Sequence, residues 1–157
     1  DTLTLKPGDF VVHLEHGVGI YRGIETMFVR ESTIEVAVIE YEGGDRLNVP
    51  LYRIDQVGTG TVTVYRLPDG SYAVRLDDFF VTANSDLELQ FSPLEAPRTT
   101  KQVTDNDRSP SIATLDVTTG SLNFRVPAHV DPTQFRSFVI WCEVANSAYS
   151  AATLRPA

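Results

Sequence analysis

Few side chains in this 157-residue chain are of types that do chemistry, and their spacing narrows what that chemistry could be. The single cysteine, Cys142, lies in Phe138-Val139-Ile140-Trp141-Cys142-Glu143-Val144, the most apolar segment of the sequence. A thiol can serve as a redox centre or as a ligand to a metal or haem iron, but a ligand role needs a second group converging on it. In this half of the chain His129 is the one available imidazole, and its setting, Pro127-Ala128-His129-Val130-Asp131-Pro132, reads as a loop with the ring in solvent. Alternate residues of a strand share a face, so Phe138, Ile140, Cys142 and Val144 point one way and Val139, Trp141 and Glu143 the other. Cys142 then sits on an all-apolar face, where a thiol's pKa rises and its reactivity falls. Core packing is the stronger reading of Cys142, and a redox role is the alternative.

Two other constellations are weaker. His13 and His16 flank Glu15, but strand residues three apart point to opposite faces. Their imidazoles converge on a metal only if a bend at Gly17 redirects one of them, and a structural role at that bend is the expectation. Asp105-Asn106-Asp107 offers oxygens that could hold Ca²⁺ weakly, yet it lacks the glycine and distal glutamate of a calcium loop. A polar loop is expected there. There is no Ser/His/Asp arrangement, phosphate-cradling loop or dinucleotide fingerprint. The chain is therefore expected to have no catalytic residues, no metal site and no bound cofactor, and not to be an enzyme.

Charge excludes another class. The net charge is −8 and the isoelectric point about 4.7. Ten acids and five bases fall in residues 1–58, eleven and eight after them, and neither part has a Lys/Arg cluster. Phosphate-backbone binding needs concentrated positive charge, so no direct nucleic-acid contact is expected. No apolar run approaches the 18 or so residues of a membrane span. The chain begins at Asp rather than Met, as a fragment or a processed chain would.

The elements that must position these groups read as strands throughout. Phe10 to His13, Ile20 to Thr26, Ile34 to Tyr41 and Arg46 to Pro50 are short extended runs. Gly17-Val18-Gly19 suggests a bulge, and Glu42-Gly43-Gly44-Asp45 a hairpin turn. Pro50 suits only an edge strand. Bent strands in under 60 residues suggest a small SH3- or Tudor-like barrel over residues 1–57. Beyond Gly58-Thr59-Gly60 come Thr61 to Leu67, a turn at Pro68-Asp69-Gly70, Ser71 to Leu76, and Asp77 to Val81. Asp86 to Phe91 alternates strictly, apolar at 87, 89 and 91. Residues 92–111 read as a long mobile loop. Ile112 to Leu115, Leu122 to Val126, Phe138 to Val144 and Ala148 to Leu154 complete about eight strands, with no convincing helix. An all-β chain is expected, with a β-sandwich or jelly-roll-like second domain over residues 59–157.

Several blocks of the first domain carry a resemblance. Leu5-Lys6-Pro7-Gly8-Asp9-Phe10-Val11-Val12-His13, Glu15-His16-Gly17-Val18-Gly19-Ile20-Tyr21, Glu40-Tyr41 and Asp45-Arg46-Leu47-Asn48-Val49-Pro50 occur in order. They resemble the RNA-polymerase-interaction domain of bacterial transcription-repair coupling factors, which also opens the CarD regulators. The resemblance implies docking on the RNA polymerase β subunit through an exposed sheet edge, where backbone groups pair with the partner and alternate side chains set specificity. By position, the implied contact residues are Glu25, Thr26, Met27, Phe28 and Val29, with Asn48 on a neighbouring strand. CarD-type relatives carry arginines at the positions of Met27 and Asn48, so the contact here would be more apolar. Taken alone, Met27 and Phe28 read as core; the resemblance moves Met27 to the interface, and Phe28 less clearly.

The second domain resembles the DM-thirteen family, an electron-transfer module of Skeletor-like animal proteins and bacterial extracytoplasmic proteins. The residues that carry this are Gly60-Thr61-Val62, Tyr65, Gly70 with Tyr72, Leu76 with Asp78-Phe79, Asp86-Leu87, Gly120, Asn123-Phe124, Val126-Pro127, Ile140-Trp141-Cys142 and Ala151-Ala152-Thr153-Leu154. The chain departs from the family pattern at Asn84-Ser85, where Gly-Pro is usual, and at Tyr149-Ser150, where Phe-Gly is frequent. The resemblance implies a redox role centred on Cys142; no cofactor is expected, and haem or another redox centre is the alternative without support in the residues. The first resemblance implies the cytoplasm and the second an extracytoplasmic setting. With almost no linker at Ile54 to Gly60, the join suggests close packing of the two domains or a composite chain.

Overall fold

The computed structural model describes residues 6–7, 10–13, 17–29, 32–41, 48–67 and 69–155; between residues 10 and 41 the description is of the backbone, with the side chain of Ile24 alone added. The chain divides into two compact units, residues 1–43 and 44–157. Nearly all regular structure is antiparallel β.

The first unit is a three-stranded sheet, β1 (Phe10–His13), β2 (Gly17–Val29) and β3 (Ser32–Tyr41), in that order. β1 covers only the start of β2, from Phe10 opposite Ile20 to His13 opposite Gly17. β3 runs along β2 from Gly19 opposite Tyr41 to Val29 opposite Ser32. Gly17-Val18-Gly19 is regular strand rather than the expected bulge; the register shift comes between Tyr21 and Gly23. The expected hairpin at 42–45 and the first two residues of the returning strand, 46 and 47, lie outside the described residues, and with them the closure of a barrel.

The second unit contains two sheets. The first joins β4 (Val49–Pro50), β6 (Gly58–Arg66), β7 (Tyr72–Val81) and β10 (Thr119–Arg125) in the order β10-β7-β6-β4. The other joins β5 (Tyr52–Arg53), β8 (Leu87–Ser92), β9 (Ala113–Leu115), β11 (Ser137–Cys142) and β12 (Ser147–Thr153) in the order β5-β12-β11-β8-β9. One buried cluster draws on both, with Val62, Val64, Val74 and Leu76 from the first and Leu87, Leu89, Phe91, Phe138 and Ile140 from the second. This is the two-sheet core that the alternating strands predicted.

The two compact units meet at Gly43/Gly44, and residues 49–57 are built into the second unit. Val49 and Pro50 pair with Val62 and Thr61, and Tyr52 and Arg53 pair with Ala151 and Ser150. The N–H groups of Ile54 and Gln56 both donate to the Tyr149 carbonyl, at 3.0 Å each. Pro50 sits on an edge strand, where its missing N–H costs no ladder bond.

Three expectations in this unit are corrected. Residues 72–81 are one strand rather than two, with a register shift opposite Thr59/Thr61. Residues 92–111 are not a mobile loop. They hold a short helix, α1 (Thr100–Thr104), capped by Thr99, whose side-chain oxygen accepts from the Gln102 N–H at 3.1 Å. Val103 anchors this helix with full burial, and Ser109 ties the end of the loop to Phe91 through its N–H and its hydroxyl. Finally, β11 stops at Cys142. Val144 lies in a turn and is 62% exposed, and Asn146 takes a left-handed backbone (φ 49°) that Asn tolerates better than most residues.

Candidate functional site

Two places answer to the chemistry sought in the sequence. The first is the long edge of β2. Glu25, Thr26, Met27, Phe28 and Val29 are consecutive on this strand, opposite Val36, Glu35, Ile34, Thr33 and Ser32 of β3. Because β1 ends its pairing at Ile20, the other edge of β2 from Tyr21 to Val29 meets no strand among the described residues. An edge of this length presents a row of N–H and C=O groups to any partner chain. The side chains of Glu25–Val29 lie outside the described residues, while the neighbouring Ile24 is 62% exposed. Asn48 falls in the second unit, exposed, beside a shallow pocket lined by Val49, Pro50, Tyr52, Thr153 and Arg155. His13 closes β1, whereas Glu15 and His16 lie outside the described residues.

The second place surrounds Cys142. The two-face reading of its strand holds for residues 138–142. Phe138, Ile140 and Cys142 join the core between the sheets, and Val139 and Trp141 join a separate cluster with Val103, Ala148 and Ala151 on the outer face. Cys142 is completely buried, and its Sγ donates to the Ser85 carbonyl at 3.6 Å. Ser85 belongs to the exposed connection between β7 and β8. That connection is held from two sides. Asn84 Nδ2 donates to the Tyr149 hydroxyl at 2.8 Å, and the Glu143 N–H donates to the Asp86 carbonyl at 2.9 Å. No group of His, Cys, Asp and Glu suited to a metal occurs among the described residues. His129 is exposed in a turn after β10, in line with the solvated ring expected of it. Asp105 and Asn106 serve the end of α1: the Asp105 carboxylate pairs with Lys101, and Asn106 Nδ2 donates to the Gln102 carbonyl at 2.8 Å.

Spacing alone did not reveal the setting of Trp141. Its ring is fully buried under the Arg108 guanidinium, 3.9 Å from the ring centroid, and its Nε1–H donates to Glu143 Oε2 at 2.8 Å. A cation over an indole is favourable, and Arg108 is also oriented by Gln90 Oε1 at 3.3 Å. The available signal was Thr99-Thr100-Lys101-Gln102, a helix-start pattern that places Val103 over the outer face.

A third hub lies at Asp55. One carboxylate oxygen accepts from Thr100 Oγ1 at 2.5 Å and from Ser147 Oγ at 2.6 Å, and Thr100 Oγ1 in turn accepts from the Ala148 N–H at 2.9 Å. The bonds from Ser147 and Thr100 hold the Asp55 carboxyl below the usual aspartate range. The hub fastens residue 55, the start of α1 and the start of β12 together.

Comparison with known proteins yields two family matches that overlap at residues 50–60. Residues 5–60 match the CarD-like/TRCF RID domain, and residues 50–154 match the family described as Electron transfer DM13. Over 53 residues the chain is 47% identical to the transcription-repair-coupling factor of Bacillus subtilis (strain 168) and 43% identical to that of Staphylococcus aureus (strain USA300). Each alignment covers 34% of this chain and 4% of the relative, so the chain spans a small fraction of these proteins' length. No solved structure matches the chain. Among the described residues, no helix is long and apolar enough to cross a membrane. The second match takes in more than half of the chain, with nearly all of both sheets of the second unit, and through it the chain belongs to the DM-thirteen electron-transfer family, while its first 60 residues are similar to the CarD-like/TRCF RID domain.

Proposed function

We propose that the chain is a non-enzymatic, two-domain binding protein whose N-terminal domain docks on the β subunit of bacterial RNA polymerase. The observation that carries this reading is the edge of β2 from Tyr21 to Val29, unpaired among the described residues, within a segment similar to transcription-repair-coupling factors. Strand addition there would use the backbone for affinity and Met27 with its neighbours for specificity. Docking of this kind requires the cytoplasm. Binding of the full chain to purified β subunit by interferometry tests it. Met27→Arg is expected to abolish binding while leaving the thermal transition in place, and a native chain that does not bind β sinks the proposal.

A second reading takes its support from the family of the larger unit. In it the chain is an extracytoplasmic electron-transfer module using Cys142, with haem or another redox centre as partner. Full burial of Cys142 and its bond to the Ser85 carbonyl favour a role that does not expose the thiol over disulfide exchange. Visible absorbance and a reversible wave in protein-film voltammetry after incubation with haem support this reading; a silent protein counts against it.

A further inference from the structure

The outer face of the four-stranded sheet has an apolar patch at one end. Thr59, Phe80 and Thr119 form one row across β6, β7 and β10. Phe79 and Val81 turn into the core, which turns Phe80 outward, where it is 46% exposed. Val57 and Val117 each lie two residues beyond the row, on either side of β7, and are 39% and 50% exposed. The Thr82 N–H donates to the Val57 carbonyl at 3.1 Å, and the Val81 N–H to the Thr118 carbonyl at 3.0 Å, so all three segments run side by side. At a strand spacing of about 4.8 Å, the three apolar residues have backbones within roughly 10 Å of one another. They are three of the five large apolar side chains found exposed among the described residues. Single exposed apolar residues are ordinary, but three on adjacent segments at one end of a sheet are not.

The charge next to these residues along the chain has one sign. Asp78 and Asp116 each lie within two residues of one of the apolar side chains and are exposed, and no Lys or Arg occurs within three residues of Val57, Phe80 or Val117 along the chain. We propose that this patch is a docking surface for a protein segment that presents apolar side chains between lysines or arginines. The apolar centre supplies affinity, and the acidic rim rejects acidic partners, including a second copy of this chain with its net charge of −8.

An amphipathic Lys/Leu helical peptide and its Glu/Leu counterpart serve as probes, with binding to the full chain read by fluorescence anisotropy. The Lys/Leu peptide is expected to bind saturably and the Glu/Leu peptide not at all. Phe80→Ser is expected to weaken binding by about tenfold with an unchanged circular dichroism spectrum. Asp116→Lys combined with Asp78→Asn, which keeps a residue tolerant of the left-handed backbone at position 78 (φ 46°), is expected to reduce the preference between the peptides. Equal affinity of native and Phe80→Ser chains overturns the proposal, as does failure of the Lys/Leu peptide to bind. Concentration-dependent dimerisation abolished by Phe80→Ser also overturns it, in favour of a second copy as the occupant.

Discussion

Asn84 and Tyr149 are 65 residues apart in sequence, yet Asn84 Nδ2 donates to the Tyr149 hydroxyl at 2.8 Å. Next to this bond, the Ser85 carbonyl accepts the Cys142 thiol. The pair thus fastens the connection that covers the cysteine.

That contact predicts thiol accessibility. The native chain is expected to react with a thiol reagent only on unfolding, since Cys142 is fully buried. Asn84→Ala removes the bond and is expected to cost about 1 kcal/mol in denaturant unfolding. It should also speed native-state labelling by freeing residues 82–86 to open locally. Rapid labelling of the native chain would remove the connection's role as a cover.

The outer cluster predicts a fluorescence change. Val103 is fully buried against the cluster that contains Trp141, the chain's single tryptophan. Val103→Ala deletes buried methyl groups and leaves a cavity, for a loss of about 2 kcal/mol. Loosening of α1 lets water reach the indole, so emission is expected to shift to the red in the folded state. An unshifted spectrum with unchanged stability would mean that the helix does not seal that face.

A pair of glycines separates strain from collision. Gly60 has φ +97°, and a Cβ there would lie 2.5 Å from the Asp77 carbonyl oxygen and 2.6 Å from that of Asp78. Gly120 has φ +107° with nothing within 4 Å of the same position. Gly120→Ala is expected to cost roughly 1–2 kcal/mol from backbone strain alone. Gly60→Ala must also push back a strand, so its unfolding midpoint should fall clearly below that of Gly120→Ala. Equal midpoints would show that the β7 backbone yields freely.

Asp55 predicts an acid limb. Its folded-state pKa lies below the ordinary value of 3.8 because Ser147 and Thr100 donate to the carboxylate. A depressed pKa contributes stability that is present above the unfolded-state value and is lost as pH falls from about 3.8 through the lower folded-state value. Asp69 and Asp131 are depressed in the same direction, mainly by bonds from Ser71 and Thr133, and add to the same limb. Asp55→Asn is therefore expected to shallow the loss of stability in this window without abolishing it. Denaturation midpoints measured from pH 6 to pH 2 check this, and parallel curves for the two proteins would contradict it.

How much was readable follows from how far each signal reaches along the chain. Strand alternation is local: side chains turn over every residue whatever the strand pairs with. The inward set Leu87, Leu89 and Phe91, and the opposed faces of Phe138, Ile140 and Cys142 against Val139 and Trp141, were therefore legible from residue order. The two family segments were legible for a similar reason, as runs of residues in fixed order. Sheet partners are not local. Residues 49–53 read as the end of one domain, but they supply edge strands to both sheets of the other, because β6 and β12 offer free edges there. Val144 continued an apolar alternation in the sequence, yet the chain turns after Cys142 to bring β12 back beside β11. The Asp55 hub, Arg108 over Trp141 and the bond from Asn84 to Tyr149 each join residues 33 or more positions apart. Sequence by itself determined an all-β chain, its strand faces and its family. Only the tertiary structure decided where one unit ends, what covers Cys142 and Trp141, and which edges and patches stay open, because those depend on strands distant in sequence meeting in space.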